Sequence, residues 1–354
     1  MGSNETSTLP SAADGKRRPT INDVARLAGV SKKTVSRVIN ASPSVSEETR
    51  RQVTEVMAKL SYAPDPTARG LAMRHAFLVG MIYDNPNPQY VVSMQEGMLT
   101  ALAGTEFELA VHRCDRNAER FLDDARRFVE RQKLYGVVLT PSVSEDDRLA
   151  HVLRDIGCHF VRVASVGVDE AAHSFVSNDR LGGLEAARHL IGLGHTDIAY
   201  VAGLKGFRSS EERCAGFEAG LAEAGLSLPA RNAIRGHYTF DSGVRAGRKL
   251  AGMSPRPTAV FAANDQMAAG VLHGLRGEGL EAPRDISVMG YDDLQVAVVS
   301  SPQLTTIHSP TREIGRLAAK KLLAAGGFSE PPDQGETRPH LVVRESTGAP
   351  PAPG

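Results

Sequence analysis

Lys32, Lys33 and Arg37 fall in the stretch 30–40, VSKKTVSRVIN, interleaved with Ser31, Thr34, Ser36 and Asn40. Cations, hydroxyls and a carboxamide at these spacings can neutralise phosphates and reach acceptors on base edges, which is recognition chemistry and not bond-making. A second polar set is scattered along the chain: Asp84, Asn85, Gln89 and Tyr90, then Arg162, then Ser209, Ser210 and Arg213, then Tyr238, Asn264 and Asp292. Most of these residues stand just beyond an apolar run, whereas Arg162 interrupts one. Carboxylate, carboxamide and guanidinium groups beside an aromatic ring suit a ligand rich in hydroxyls or polar edges, and such a site rejects ligands that lack them. Asn264 and Asp292 also have a plain alternative as helix caps, which Asp265 and Asp293 could fill instead. There is no G-x-S-x-G, no P-loop Lys and no H-E-x-x-H, and Ser, His and Asp occur without a spacing that assigns roles, so an enzyme is not expected. His195 reads as part of a helix C-terminal turn. Cys114, Cys158 and Cys214 have no metal-ligand spacing and fit a reduced, cytosolic protein. No metal or cofactor is expected.

The first set requires two short helices around a tight turn. Thr20 and Asp23 form a capping-box variant, and Ile21, Val24, Leu27 and Ala28 make a buried stripe. Gly29 ends the first helix and Ser31 caps the second. Val35, Val38 and Ile39 then face inward, leaving Lys33, Arg37 and Asn40 outward to fit a major groove. A third helix capped by Ser46, with Val53, Val56, Met57 and Leu60 inward, closes a small core. An ordinary helical hairpin with a solvated basic face would show the same spacing, but the charge distribution weighs against it. The chain as a whole is neutral, with 41 basic and 41 acidic residues, yet residues 16–74 hold twelve Lys or Arg and five acids, so 12 − 5 = +7. The remainder therefore carries −7. A positive head on an acidic body is suited to phosphate binding and predicts steep salt dependence.

Residues 1–19 read as a disordered tail, 20–64 as the headpiece, 65–75 as a linker or hinge helix, and 349–354 as a second tail; Pro- and Gly-rich 326–335 reads as a loop. The hinge, about 66–73, is too short to stand alone and needs its twin or a bound duplex. From 76 to 348, apolar runs of strand length alternate with helical patterns. Strands are expected at 77–83, 136–140 and 160–164 in one lobe and at 198–202, 259–263 and 286–291 in another. Helices are expected at 117–132, 180–191, 210–224 and 265–278. Such alternation means parallel sheets covered on both faces, with ligands beyond the carboxyl ends of the strands. The fold class is thus an all-α helix-turn-helix headpiece followed by an α/β core of two doubly wound parallel-sheet lobes.

The segments TINDVARLAG, VSKKTVSRVIN and PDPTARGLAMR resemble the headpiece and hinge of the lactose-repressor family of bacterial transcription regulators. FVSNDRLGGLEAARHLIGLGH, AANDQMAAGVLHGL, DISVMGYDD and PQLTTI resemble its effector-binding core, so the resemblance spans Thr20 to about Thr347. It implies two similar lobes joined by several crossovers, as in periplasmic sugar-binding proteins, about 76–173 plus 309–335 and 174–308 plus 336–348. It implies that Lys32 and Lys33 read bases, that the headpiece engages DNA through Thr20, Ser31, Thr34, Ser36, Arg37 and Asn40, and that the hinge does so through Arg69 and Leu71. Leu71 takes the place of a leucine that wedges between base pairs. Gly70 departs from the pattern, because glycine is a poor helix former, so this hinge should melt easily. Arg213, Asn264 and Asp292 match positions that hold effector polar groups, and Tyr238 matches an aromatic that stacks on the effector. The implied function is a sequence-specific repressor, a homodimer on palindromic double-stranded DNA, controlled allosterically by a small sugar-like effector bound between the lobes. Purines or nucleosides are open as effectors too, because the fold is shared. The competing reading is a sugar-binding receptor module without DNA binding; it would need a secretory signal, which residues 1–18 do not resemble, and it leaves the basic head unexplained. A cytoplasmic, nucleoid-associated protein without membrane contact is expected.

Overall fold

The computed structural model describes residues 19–39, 44–62, 76–170, 173–332 and 337–352. It divides into two compact units, Met1–Ala76 and Phe77–Gly354.

In the first unit the described helices are α1 (Ile21–Leu27), α2 (Lys32–Ile39) and α3 (Glu47–Lys59). The Thr20 amide and hydroxyl both donate to Asp23 Oδ2, at 2.9 and 2.7 Å, which ties the start of α1. Gly29 takes the left-handed conformation (φ +60°) that the sharp turn requires. Ser31 Oγ accepts the Thr34 amide at 3.1 Å and Ser46 Oγ the Thr49 amide at 3.3 Å, so both expected caps are present. Val24, Ala25, Ala28, Val35, Val38 and Val53 form the core. Leu27, expected in the buried stripe, is 45% exposed. Ala25 takes its place, because 21, 24, 25 and 28 follow the helical face better than 27 does.

The second unit contains two sheets. In the first, β1 (Leu78–Tyr83), β2 (Glu108–Arg113), β3 (Gly136–Leu139), β4 (His159–Ala164) and β5 (Ser174–Val176) are all parallel, in the order β2-β1-β3-β4-β5. In the second, β6 (Ile198–Ala202), β7 (Ala233–Arg235), β8 (Ala259–Ala262), β9 (Ser287–Asp292), β10 (Thr305–His308) and β11 (His340–Val342) run in the order β11-β10-β9-β8-β6-β7, with only β11 antiparallel. The helices between them are α4 (Pro88–Leu102), α5 (Phe121–Gln132), α6 (Asp147–Asp155), α7 (Asp179–Gly192), α8 (Arg208–Glu223), α9 (Phe240–Ala251), α10 (Asp265–Gly277), α11 (Gln295–Val299) and α12 (Thr311–Ala324).

Both faces of the first sheet are apolar, as a doubly wound sheet requires. Val79, Met81, Val138 and Val161 pack with residues of α4 and α12, while Ile82, Val137 and Leu139 pack with residues of α5 and α6. Since α12 follows β10 but covers the first sheet, the chain returns to the first lobe there and reaches the second again at β11. β5 pairs with β4, so the first crossing falls after Val176 and not after residue 173. The helix expected from 117 begins at Phe121, because Asp115 turns residues 117–118 through its side chain and carbonyl. The chain after β11 is anchored at Gly348, which donates to Ser287 Oγ at 3.0 Å, and His195 Nε2 lies 2.9 Å from its carbonyl oxygen. The His195 ring is held by Thr258, Ser287 and Gly348 as a buried structural group.

Helices α7 and α8 meet backbone to backbone. A Cβ on Gly183 would lie 2.0 Å from the Arg213 carbonyl oxygen, and one on Gly216 1.9 Å from that of Arg180. This close approach sets where α8 presents Arg213. Gly183→Ala should therefore destabilise the core by about 1–3 kcal/mol through overpacking, measured as a lower denaturation midpoint with an unchanged denaturant slope.

Candidate functional site

The strand order places the ends of β1, β3, β5, β6, β8 and β9 around one cleft between the lobes. It is lined by Asn85, Asn87, Tyr90, Ser177, Asp179, Ser209, Arg213, Tyr238, Asn264, Asp292, Ser309 and Thr311, with Pro141 and Ile314. Arg213 is at its centre. Nε donates to Asp179 Oδ1 at 2.8 Å, Nη1 donates to the Ala263 carbonyl at 2.6 Å, and the guanidinium lies 3.6 Å from the Tyr291 ring centroid. Burial opposes its charge, but Asp179 and Asp292 more than offset that and hold it above the ordinary arginine range. Among the described residues Nη2 has no protein partner. Asp179 Oδ2 in turn accepts the hydroxyls of Ser165 and Ser177.

Asp292 is less well satisfied. Its Oδ1 is 3.3 Å from Arg213 Nη1 but without hydrogen-bonding geometry, so this buried atom has no hydrogen-bond partner. The Tyr238 hydroxyl and Asn87 Nδ2 are likewise buried and unpartnered. Such atoms are costly unless a ligand or water completes them. Two of the residues also have backbone strain, with φ +107° at Asp292 and +62° at Tyr238, a conformation that non-glycine residues adopt mainly where function requires it. Asn264 is a helix cap that also borders the cleft: Oδ1 caps α10 through the Met267 amide at 2.9 Å, Nδ2 donates to the Tyr238 carbonyl at 3.2 Å, and the side chain is part of the lining. Asp265 is instead a buried strut, accepting from Thr306 and the Leu294 amide, and Asp293 binds His308 and Arg344.

Of the residues expected here, Asn85, Tyr90, Ser209, Arg213, Tyr238, Asn264 and Asp292 line the cleft, and four do not. Arg162, 2% exposed, spends its donors on the Ser144 and Val168 carbonyls, Asp147 and Asp169, and so braces the first lobe. Ser210 Oγ accepts the Gly203 amide at 2.9 Å, leaving Ser209 to face the cleft. Asp84 is held by the Ser142 hydroxyl, with Arg116 3.8 Å away. Gln89 accepts from Gln266 across the cleft at 3.4 Å. Asn87, Ser177 and Asp179 were missed, although the polar run 177–179 directly follows a strand and Asn87 lies in a Pro-Asn-Pro loop. Ser309 and Thr311 come from the second crossing, which spacing along the chain could not bring here.

In the headpiece, Lys32, Lys33 and Arg37 are exposed, and among the described residues no carboxylate pairs with them. Ser31 and Thr34 bond to each other at 2.9 Å, and Ser36 is half-buried. Asn40, Arg69, Gly70 and Leu71, and with them the expected hinge, lie outside the described residues.

Residues 20–65 match the family described as bacterial regulatory proteins, lacI family, and residues 187–347 match a periplasmic binding protein-like domain. The regulator CelR of Thermobifida fusca is 36% identical over 94% of this chain and 99% of its own. The chain belongs to the lacI family. It is accordingly a DNA-binding transcription regulator. A probable repressor, ExuR of Bacillus subtilis (strain 168), is 31% identical over 92% of this chain and 98% of its own. Among solved structures, a CelR–cellobiose complex superposes with a TM-score of 0.68 at 32% identity, covering 93% of this chain and 100% of that one. A lac repressor dimer bound to operator and an anti-inducer reaches 0.76 at 28% identity, covering 94% of this chain and 100% of that one. These relatives are regulators, not enzymes. Among the described residues no group of His, Cys, Asp and Glu could hold a metal, and no helix is long and apolar enough to cross a membrane.

Burial pushes the Asp292 carboxyl up to about 6, with Arg213 pulling it down and Asp179 pushing it up. Because the folded value exceeds the ordinary 3.8, its contribution to stability is present below pH 3.8 and lost as pH rises through about 6. Asp292→Asn should therefore raise the unfolding temperature at pH 7.5, and the gain should shrink as pH is lowered from 6 towards 4. Asparagine also tolerates positive φ better. A pH-independent difference would show that Asp292 is not the titrating group.

Proposed function

We propose that this regulator is a repressor whose operator affinity is set by a sugar-like molecule held between its lobes. The observation that carries this reading is the cleft around Arg213, where Asp292, Tyr238 and Asn87 offer buried, unpartnered polar atoms and Arg213 Nη2 offers a free edge. Vicinal hydroxyls donate to a carboxylate and accept from a guanidinium, and Tyr90 and Tyr238 supply flat apolar faces for a ring. The same set has one cation for two carboxylates, Asp179 and Asp292, which favours an uncharged polyol over an acidic ligand. The complex of CelR with cellobiose makes cellobiose the first sugar to test.

On the DNA side, two headpieces of a homodimer would occupy palindromic half-sites, with hinge helices paired in the minor groove between them and Leu71 as the wedge. Thr20, Ser31, Thr34, Ser36, Arg37, Asn40 and Arg69 would contact the duplex around the bases read by Lys32 and Lys33. Lysines at the start of the recognition helix favour the O6 and N7 acceptors of guanine. The protein would act in the bacterial cytoplasm, associated with the nucleoid. Operator and effector must each alter the other's affinity by the same factor, usually about 5–150-fold.

A gel-shift series on a palindromic operator tests both halves, with cellobiose, other mono- and disaccharides and purine bases titrated in turn. The expected result is salt-sensitive binding that a sugar shifts by at least about fivefold. Binding modulated only by a purine base would replace the sugar reading, and no operator binding at all would defeat the proposal. Lys33→Ala should flatten preference at one base pair and cost about 1–3 kcal/mol on the preferred operator. An equal loss on all sequences would make Lys33 a phosphate contact.

A further inference from the structure

The lobes are joined at the cleft rim by a contact that the effector reading does not use. Arg116 lies just after β2, at the edge of the first sheet, and its side chain reaches into the second lobe. Nη2 donates to the Gly206 carbonyl at 2.6 Å, and the guanidinium lies 5.1 Å from the Phe207 ring centroid. On its own side Nε is 3.8 Å from Asp84 Oδ2, and Asp84 is fixed by the Ser142 hydroxyl. Glu145, also of the first lobe, receives the backbone amide of Ser165 at 3.5 Å. Two consecutive residues of the second lobe, 206 and 207, are thus held from across the cleft by Arg116, through a carbonyl contact and a ring contact.

Those residues lead straight into α8, which carries Ser209 and Arg213. Phe207 is buried, and its ring meets Tyr238 edge-on with centroids 6.0 Å apart. Tyr238 is the strained, unpartnered aromatic of the cleft and leans over Gly203, where a Cβ would lie 2.1 Å from its ring. Contact therefore runs without a gap from Asp84 through Arg116 and Phe207 to the cleft wall. Only arginine can make all three interactions at once, because its planar fork faces a carboxylate and donates to a carbonyl while its face rests on a ring. A lysine would keep the charge and at most one hydrogen bond.

We propose that Arg116 is a positioning residue, a clasp that holds the cleft rim shut and sets Tyr238 through Phe207, so that it tunes how readily the lobes part to admit or release a ligand. This rests on the cleft being the effector site only for its consequence; the clasp itself can be tested on the full-length protein without ligand. Hydrogen–deuterium exchange of the wild type, Arg116→Ala and Arg116→Lys is the measurement. For Arg116→Ala, exchange at residues 203–211 and 142–146 should rise about tenfold, as expected for a lost charge-assisted hydrogen bond and stacked ring. Arg116→Lys should recover only part of the protection. Strands β6 and β8 and the unfolding temperature should not change. Unaltered exchange in both rim segments, or a rise spread evenly over both lobes, would overturn the clasp. As a second arm, Arg116→Ala should release cellobiose faster in stopped flow. A protein that never binds cellobiose would fail that arm through the sugar reading and leave the exchange result to decide the clasp.

Discussion

The cleft depends on a single buried cation. A guanidinium as enclosed as that of Arg213 is tolerated only if its charge is matched and its donors are occupied. The match comes from three places: Asp179 at the start of α7, the carboxyl end of β9 at Asp292, and the Ala263 carbonyl after β8. Holding these together fixes the mutual positions of two helices and two strands, and the absence of side chains at Gly183 and Gly216 lets the helices come close enough to do so. Removing Asp179 would leave that charge poorly compensated, and so the same atoms that could recognise a ligand also shape the wall that presents it.

The rest of the cleft tolerates less than full satisfaction. Asp265, one residue from Asn264, is equally buried but saturated by Thr306 and Leu294, and it behaves as part of the frame. Asp292 is buried, strained and one bond short. This difference between neighbouring aspartates separates structure from recognition, since buried polar groups are ordinarily paired. Burial alone would not have separated them.

Most of the fold was legible because parallel strands buried on both faces are continuous apolar runs. VGMI in β1, GVVL in β3 and AVFA in β8 have that character. β2, ELAVHR, lies at a sheet edge with mostly half-buried or exposed residues, and β5 and β11 are three residues long, so none gave a run to detect. The site followed a similar division. Residues directly beyond a long strand, such as Asn264 and Asp292, were found. Arg162 was misplaced because a buried arginine is as well suited to collecting backbone carbonyls as to binding a ligand. Asp179 escaped because β5 before it was not recognised, and Ser309 and Thr311 because only the three-dimensional crossing brings α12 to the cleft. In the headpiece, local signals sufficed: caps, a glycine turn and a short apolar stripe are all decided within four residues.

The passages between the lobes have a mechanical consequence. Ser177 follows one crossing strand, and Ser309 and Thr311 flank the next, and all three hydroxyl-bearing residues border the cavity. A bound molecule would thus rest on the axle as well as on the jaws. Were the lobes to turn about these crossings, small changes in ligand shape near the pivot would be magnified at the far tips of the lobes.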